Sequence, residues 1–352
     1  MVRRLTSRTR QIAVGTAGVI GLVIAAWLLR PVSPVVPFAA RPSGSYEESL
    51  RRIGVVRAQD TEDVSDACHA LVMTHGQATQ RVMVMYHGYT NCPRQYEKLA
   101  RKFFEHGYNV YVPRIPYHGY QNLMTREIGR LTATDLAHVC SESVDIAGGL
   151  GRQVTVLGLS MGGVMAAWDA QTRDDVETAV VIVPSFAWYY LPRVIRPLIH
   201  IAALFPNQFL WWDPVAREKR TAPYSMYYRF SSRGMGEILR LSWSVLDRAR
   251  AQRPGAKHLI VITNERDNAV DEWTTQTLIH RWRRQGAVVR FDRIPRKLGV
   301  EHDVIDPLHP YEQTDRIYSR ILQLIEAQEG GREQGRFPGR NLRGSKSPAD
   351  EK

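Results

Sequence analysis

A serine set between glycines, Gly158-Leu159-Ser160-Met161-Gly162, is the place where residue types and spacing most plainly point to chemistry. A hydroxyl is a weak nucleophile until a base takes its proton, and it must also be presented to the substrate. A strand that turns at once into a helix presents it, but such a turn crowds the backbone, so the residues two places away must lack bulk. The flanks fit: the alternating run Gln153 to Leu159 leads in, and a helical pattern from Met161 to Thr172 leads out. Taken alone, the same five residues would serve in a plain tight turn. Acyl transfer also needs N–H donors aimed at the oxygen where negative charge develops. In "MVMYHGYTNCP", Met83 to Pro93, a strand ends at His87 and Gly88 before a loop. The backbone N–H of Tyr89 there, with that of Met161 after the nucleophile, would make an oxyanion pair. His87 precedes the serine in the chain and reads as a residue that shapes this loop.

These residues need a scaffold, and residues 46–328 alternate short apolar runs with longer amphipathic ones. That rhythm predicts an α/β fold, a mostly parallel sheet covered by helices. The strands are expected at 81–86, 109–114, 153–159, 178–184, 258–263 and 287–294. Helices are expected at 93–106, 133–148, 161–172, 272–285 and 310–326. The interval of about residues 186–256 is far longer than an ordinary crossover. Its aromatic segments "AWYYLPR", "FLWWDP" and "YSMYYRF" predict a helical cap over the ligand-binding edge of the sheet, part of which is ordinary crossover helix. Trp211 and Trp212 could touch substrate from this cap or pack within it, and His118, after the second strand, could line the entrance or simply brace a loop.

The segments "MYHGYTNCP", "GLSMGG", "NERDNAVD" and "LGVEHDVIDP" together resemble the serine hydrolases of the α/β-hydrolase superfamily, in the monoglyceride-lipase, carboxylesterase and serine-aminopeptidase-like branches. The resemblance covers about residues 70–327. It implies an α/β-hydrolase fold with an inserted helical cap and a catalytic set in the order serine, acid, histidine. The acid is then expected after the strand "HLIVIT", among Glu265, Asp267 and Asp271. The family pattern fits Asp267, while Asp271 suits the start of the next helix. Three histidines follow. His280 lies in a helical pattern, His309 begins the last helix, and His302 lies in the loop where the family carries its base. Asp303 and Asp306 are candidates to orient that loop. The implied reaction is attack of Ser160 on an ester carbonyl, with His302 as base and Asp267 holding the imidazole, through an acyl-enzyme that water cleaves. It needs neither a metal nor an organic cofactor. A small acyl ester is the expected substrate, with an amide or peptide bond as the alternative on the same residues, and a catalytically silent binding module as another.

The ends of the chain carry different signals. The net charge is +12, which invites a nucleic-acid reading, but several of the basic residues lie at the two ends, the remaining surplus is scattered, and no zinc spacing or basic heptad appears, so no nucleic-acid partner is expected. Residues 12–29 form an apolar run with Thr16 as the clearly polar member, long enough to predict a transmembrane anchor behind a basic leader at residues 1–11. A cleaved secretory signal is the alternative. The leader puts the hydrolase domain outside the cytoplasm, whereas Arg30 and Arg41 on the other flank work against that orientation. Residues 30–45 are proline-rich and read as an extended spacer, and residues 329–352 as a disordered tail. Cys68, Cys92 and Cys140 lack metal-ligand spacing and allow either one disulfide and a free thiol or three buried thiols.

Overall fold

The computed structural model describes residues 7–188, 195–215, 227–308 and 314–330. The elements run α1 (Ser7–Leu29), α2 (Tyr46–Arg57), β1 (Leu71–Met73), β2 (Thr79–Tyr86), α3 (Glu97–Glu105), β3 (Tyr108–Val112), α4 (Ala133–Leu150), β4 (Gly151–Leu159) and α5 (Met161–Thr172). They continue as β5 (Val176–Ile182), α6 (Ile195–Leu204), β6 (Phe209–Trp211), β7 (Arg229–Ser231), α7 (Ser232–Arg248), β8 (His258–Asn264), α8 (Glu272–Arg284), β9 (Val289–Ile294) and α9 (Thr314–Gly330). All six expected strands are present within a few residues of their expected bounds. The short β1 is an addition. It pairs antiparallel to β3 at one edge, and every other pairing in the main sheet, ordered β1-β3-β2-β4-β5-β8-β9, is parallel.

Strand alternation divides the core. On β2, Val82, Val84 and Tyr86 face the layer that holds α4, α5, α7 and α8, while Met83 and Met85 face α3 and α9 with Leu99, Phe103, Ile317 and Ile321. Both faces are apolar because helices cover both, which is why the central strands read as nearly continuous hydrophobic runs. The long interval before β8 also resolves. Helix α7 buries Ile238, Leu239, Leu241 and Val245 against α4 and α5, so it is the crossover helix on the sheet. Among the described residues, the insertion proper holds α6 and the antiparallel pair β6–β7.

The proline-rich segment after α1 differs from the expected free spacer. The carbonyls of Arg30, Ser33 and Val35 accept hydrogen bonds from Arg196, Arg240 and Arg248, at 2.8, 3.3 and 3.4 Å. The Val35 N–H donates to Ser244 Oγ at 2.9 Å, and those of Arg41 and Ser43 donate to Asp145. An extended segment has no ladder of its own for its backbone groups, so arginines from α6 and α7 meet its carbonyls while Asp145 of α4 accepts from its N–H groups. The segment is a strap along the body. Helix α1 covers the apolar run, and Val14, Val19, Leu22, Val23 and Ile24 are exposed. Among the described residues, no helix is long and apolar enough to cross a membrane, so the expected anchor at residues 12–29 is not established. Cys68 and Cys92 form a disulfide and Cys140 is a buried free thiol, the first of the two arrangements the sequence allows. His309 and the tail beyond residue 330 lie outside the described residues.

Candidate active site

Ser160 stands at the sharp turn between β4 and α5 with φ 58° and ψ −114°, a conformation that side chains rarely adopt. The turn is closed by its own backbone: Ser160 N donates to Ile182 O at 3.0 Å, and Ser160 O accepts from Val164 N and Ser185 N. The glycines are there for space. A Cβ on Gly158 would stand 1.9 Å from the carbonyl oxygen of Gly162, and one on Gly162 would stand 1.8 Å from that of Tyr86. Elbow and β2 therefore touch backbone to backbone, which sets the serine beside the loop that follows β2.

His302 joins the two other residues expected from the sequence. Its Nε2 lies 2.8 Å from Ser160 Oγ and its Nδ1 lies 2.8 Å from Asp267 Oδ2. Asp267 is fixed in turn by the N–H groups of Ala269 and Val270, both donating to Oδ1 at 2.9 Å. Burial works to raise the Asp267 carboxyl, but His302 and the two backbone donors outweigh it and leave its pKa below the ordinary value. Burial likewise works to lower His302. The Asp267 carboxylate, by charge and hydrogen bond, with Asp303 adding to it, overcomes this and holds the imidazole above the usual histidine value. The two other acids and the remaining described histidine sit elsewhere. Glu265 accepts from Arg296 N, Asp271 caps α8 through Thr274 N, and His280 is exposed on α8.

The loop after β2 is built to leave one amide open. Gly88 N donates to Gln95 Oε1 at 2.9 Å, and Gly88 O accepts from Asn91 N. Among the described residues, the N–H groups of Tyr89 and Met161 have no hydrogen-bond partner, as oxyanion donors require. His87 is fully buried, with Nδ1 bonded to Gly88 O at 3.0 Å and Nε2 accepting from Ile115 N at 3.2 Å, so it shapes the loop as expected. Burial holds it well below the usual histidine pKa and therefore neutral. Thr90 adopts φ 66°, strained for a β-branched residue by about 1–3 kcal/mol. The cap offsets that strain: Trp212 Nε1 donates to Thr90 Oγ1 and Tyr227 N donates to Thr90 O, both at 2.9 Å.

A cavity of 260 Å³ opens over Ser160, walled by Tyr89, Trp188, Trp212, Ile238 and the segment from Asn268 to Val270, with Glu301 and Asp303 beside His302. Trp212 thus reaches the site, whereas Trp211 packs beside Tyr228 and Arg229 within the cap. His118 is not part of the wall. It is fully buried between the rings of His87, Tyr89 and Tyr227, its Nδ1 on Pro116 O, and burial lowers its pKa to about 4. Trp188, Ile238, Asn91 and Gln95 were not singled out from the sequence. Their part in the site comes from long-range packing that no local motif encodes. Among the described residues, no group of three or more His, Cys, Asp or Glu side chains could hold a metal ion.

Residues 71–314 match the family model described as the alpha/beta hydrolase family. No curated protein matches the chain in sequence. Solved structures share the architecture at low identity. One, from work on two metagenome-derived lipolytic enzymes, has 16% identity, a TM-score of 0.57, and coverage of 75% of this chain and 99% of its own. The monoacylglycerol lipase of Paleococcus ferrophilus has 16% identity and a TM-score of 0.53, covering 70% and 96%. A soluble variant of the Saccharomyces cerevisiae monoglyceride lipase has 15% identity and a TM-score of 0.54, covering 73% and 91%. With elbow, histidine loop and mostly parallel sheet in one arrangement, and with the family model running over most of its length, the chain belongs to the alpha/beta hydrolase family.

Proposed function

We propose that this chain is a serine hydrolase of carboxylic esters, working through Ser160, His302 and Asp267 by an acyl-enzyme intermediate. The observation that carries the reading is the single imidazole bonded at 2.8 Å to both the strained serine and a buried carboxylate. His302 takes the Ser160 proton as Oγ attacks the carbonyl carbon. The new oxyanion is met by the N–H groups of Tyr89 and Met161, and Asp267 stabilises the imidazolium. The same proton then goes to the leaving alkoxide, and a water activated by His302 releases the acid. A cavity of 260 Å³ is at the small end for ligand sites, which supports a short acyl group held against Trp188, Trp212 and Ile238. The lipolytic and monoacylglycerol-cleaving names of the structural relatives support esters over amides.

The experiment is a fluorophosphonate probe combined with p-nitrophenyl esters of two to twelve carbons and aminoacyl anilides. Labelling at Ser160 and kcat/KM highest for short esters are expected. A folded chain that neither labels nor cleaves any of them overturns the reading, and cleavage of anilides alone assigns it to amides.

We further propose that the hydrolase domain lies outside the cytoplasm, held by α1. The apolar, exposed surface of α1, the arginines that precede it and the Cys68–Cys92 disulfide, a bond that persists in oxidising compartments, support this. A C-terminal alkaline phosphatase fusion is expected to be active, with the full-length chain staying in carbonate-washed membranes. A shortened soluble chain indicates a cleaved signal, and an inactive, well-expressed fusion reverses the orientation.

A further inference from the structure

Two buried amide side chains join the loop of the proposed oxyanion donor to the loop of the proposed base. Gln95, 2% exposed, accepts from Gly88 N with Oε1 at 2.9 Å and donates from Nε2 to Asp303 Oδ1 at 3.3 Å. Asn91, 3% exposed, donates from Nδ2 to Asp306 Oδ2 at 3.0 Å and accepts from Cys92 N with Oδ1 at 2.9 Å. Each end of the Gln95 bridge is one residue from a reacting group: Gly88 precedes Tyr89, and Asp303 follows His302.

We propose that Gln95 is a positioning residue for this site, its amide setting the separation between the oxyanion donors and the imidazole, with Asn91 as a second tie on the same two loops. The inference rests on the serine hydrolase reading. The chemistry of the bridge admits one orientation. Gly88 N–H needs an acceptor, so the amide oxygen faces it, and the NH₂ then faces a carboxylate that can only accept. A glutamate in place of Gln95 would set two acceptors against each other, and an apolar residue would leave a buried N–H unmet. The bridge also decides which amide is open, because satisfying Gly88 N–H leaves that of Tyr89 for the substrate oxygen. It bears on charge too. The carboxylates around His302 are Asp267, Asp303 and Glu301, the last with Arg266 at 3.9 Å. Donation from Gln95 offsets part of the Asp303 charge.

The test is a charge-swap cycle, Gln95→Glu, Asp303→Asn and the pair together, with Gln95→Met beside them. All are made in the full chain and read by kcat, KM and pH profile on p-nitrophenyl butyrate, with thermal unfolding for each. Gln95→Met is expected to lower kcat about 10- to 100-fold with KM within about threefold, the scale of a misplaced catalytic group. Its acid limb should move to higher pH, since an uncompensated Asp303 favours the imidazolium. Gln95→Glu should fall further. In the pair the bridge is rebuilt with its two chemistries exchanged. The amide introduced on the histidine loop donates to the carboxylate introduced on α3's side, that carboxylate still accepts from Gly88 N–H, and the net charge returns to that of the parent. Its kcat should recover at least about tenfold over Gln95→Glu, with the limb near the parental position. If Gln95→Met keeps parental kcat and limb, or if the pair folds without rescue, Gln95 is a packing residue and the inference is overturned while the hydrolase reading stands. If the parent itself neither cleaves nor labels, the reading falls and takes the inference with it.

Discussion

Replacing Ser160 with alanine is expected to lower ester hydrolysis by at least ~10⁴-fold and to abolish fluorophosphonate labelling, while thermal unfolding stays near that of the parent. The fold should tolerate the change because alanine keeps the Cβ that the positive φ already accommodates, and the backbone bonds to Ile182 O, Val164 N and Ser185 N do not involve Oγ. Asp267→Asn should cost a comparable factor for another reason. The Ala269 and Val270 amides would pin the side-chain oxygen, turning an NH₂ toward Nδ1, which forces the imidazole into the tautomer that carries its proton toward Ser160. The pH profile separates the two. The base must be neutral to act, and in the parent its pKa stands above the ordinary 6.5, so activity is lost as pH falls through a value above 6.5. Removing the Asp267 charge leaves burial, which lowers the imidazole, opposed only by the smaller effect of Asp303, so the residual activity of Asp267→Asn should reach its plateau at lower pH. An Asp267→Asn variant with parental kcat and an unmoved limb would remove that carboxylate from the mechanism.

The proposed nucleophile was legible because its signal is steric and local. Two glycines around a serine between strand and helix pattern report a backbone contact that only glycine permits. Asp267 and His302 were expected chiefly through the resemblance: the helical pattern around His280 set it aside, but only the family's acid turn and histidine loop single out "RDNAV" and "EHD". The strands came through because both faces of the sheet are covered, so each reads as an apolar run. What failed to read was whatever depends on distant partners. That part of the long interval is crossover helix was expected, but which part was not, and only the packing of Ile238 and Leu241 on α4 and α5 identifies α7 as that part. The strap at residues 30–45 looks like a spacer until Arg196, Arg240 and Arg248, lying 166, 207 and 213 residues beyond the carbonyls they meet, take its acceptors. Gln95 is silent in sequence for the same reason, its partner Asp303 lying 208 residues on.

Gly162→Ala should be among the most damaging single methyls at the described glycines, and Gly54→Ala its harmless opposite. Both glycines lie in helices and neither has a positive φ, so helix propensity favours alanine at each by about 1 kcal/mol. At Gly54 nothing stands within 4 Å of the new Cβ, and the variant should be slightly more stable than the parent. At Gly162 the new atom would lie 1.8 Å from Tyr86 O and 2.5 Å from Tyr86 C, with His87 O at 2.9 Å. No side chain can swing away, because every one of these atoms is backbone of β2 or of the residue after it. Relief requires α5 to withdraw from the sheet or β2 to shift, and either breaks the alignment between Ser160 and the loop carrying Tyr89. The cost should exceed about 3 kcal/mol, beyond ordinary overpacking because the obstacle cannot repack. Urea unfolding of the two variants beside the parent reads the difference. Gly162→Ala should unfold at much lower urea or fail to fold, and any fraction that survives should have lost ester cleavage. A Gly162→Ala chain with parental midpoint and activity would mean that β2 and the elbow are not in backbone contact, and the reason given for the glycine spacing around Ser160 would fall with it.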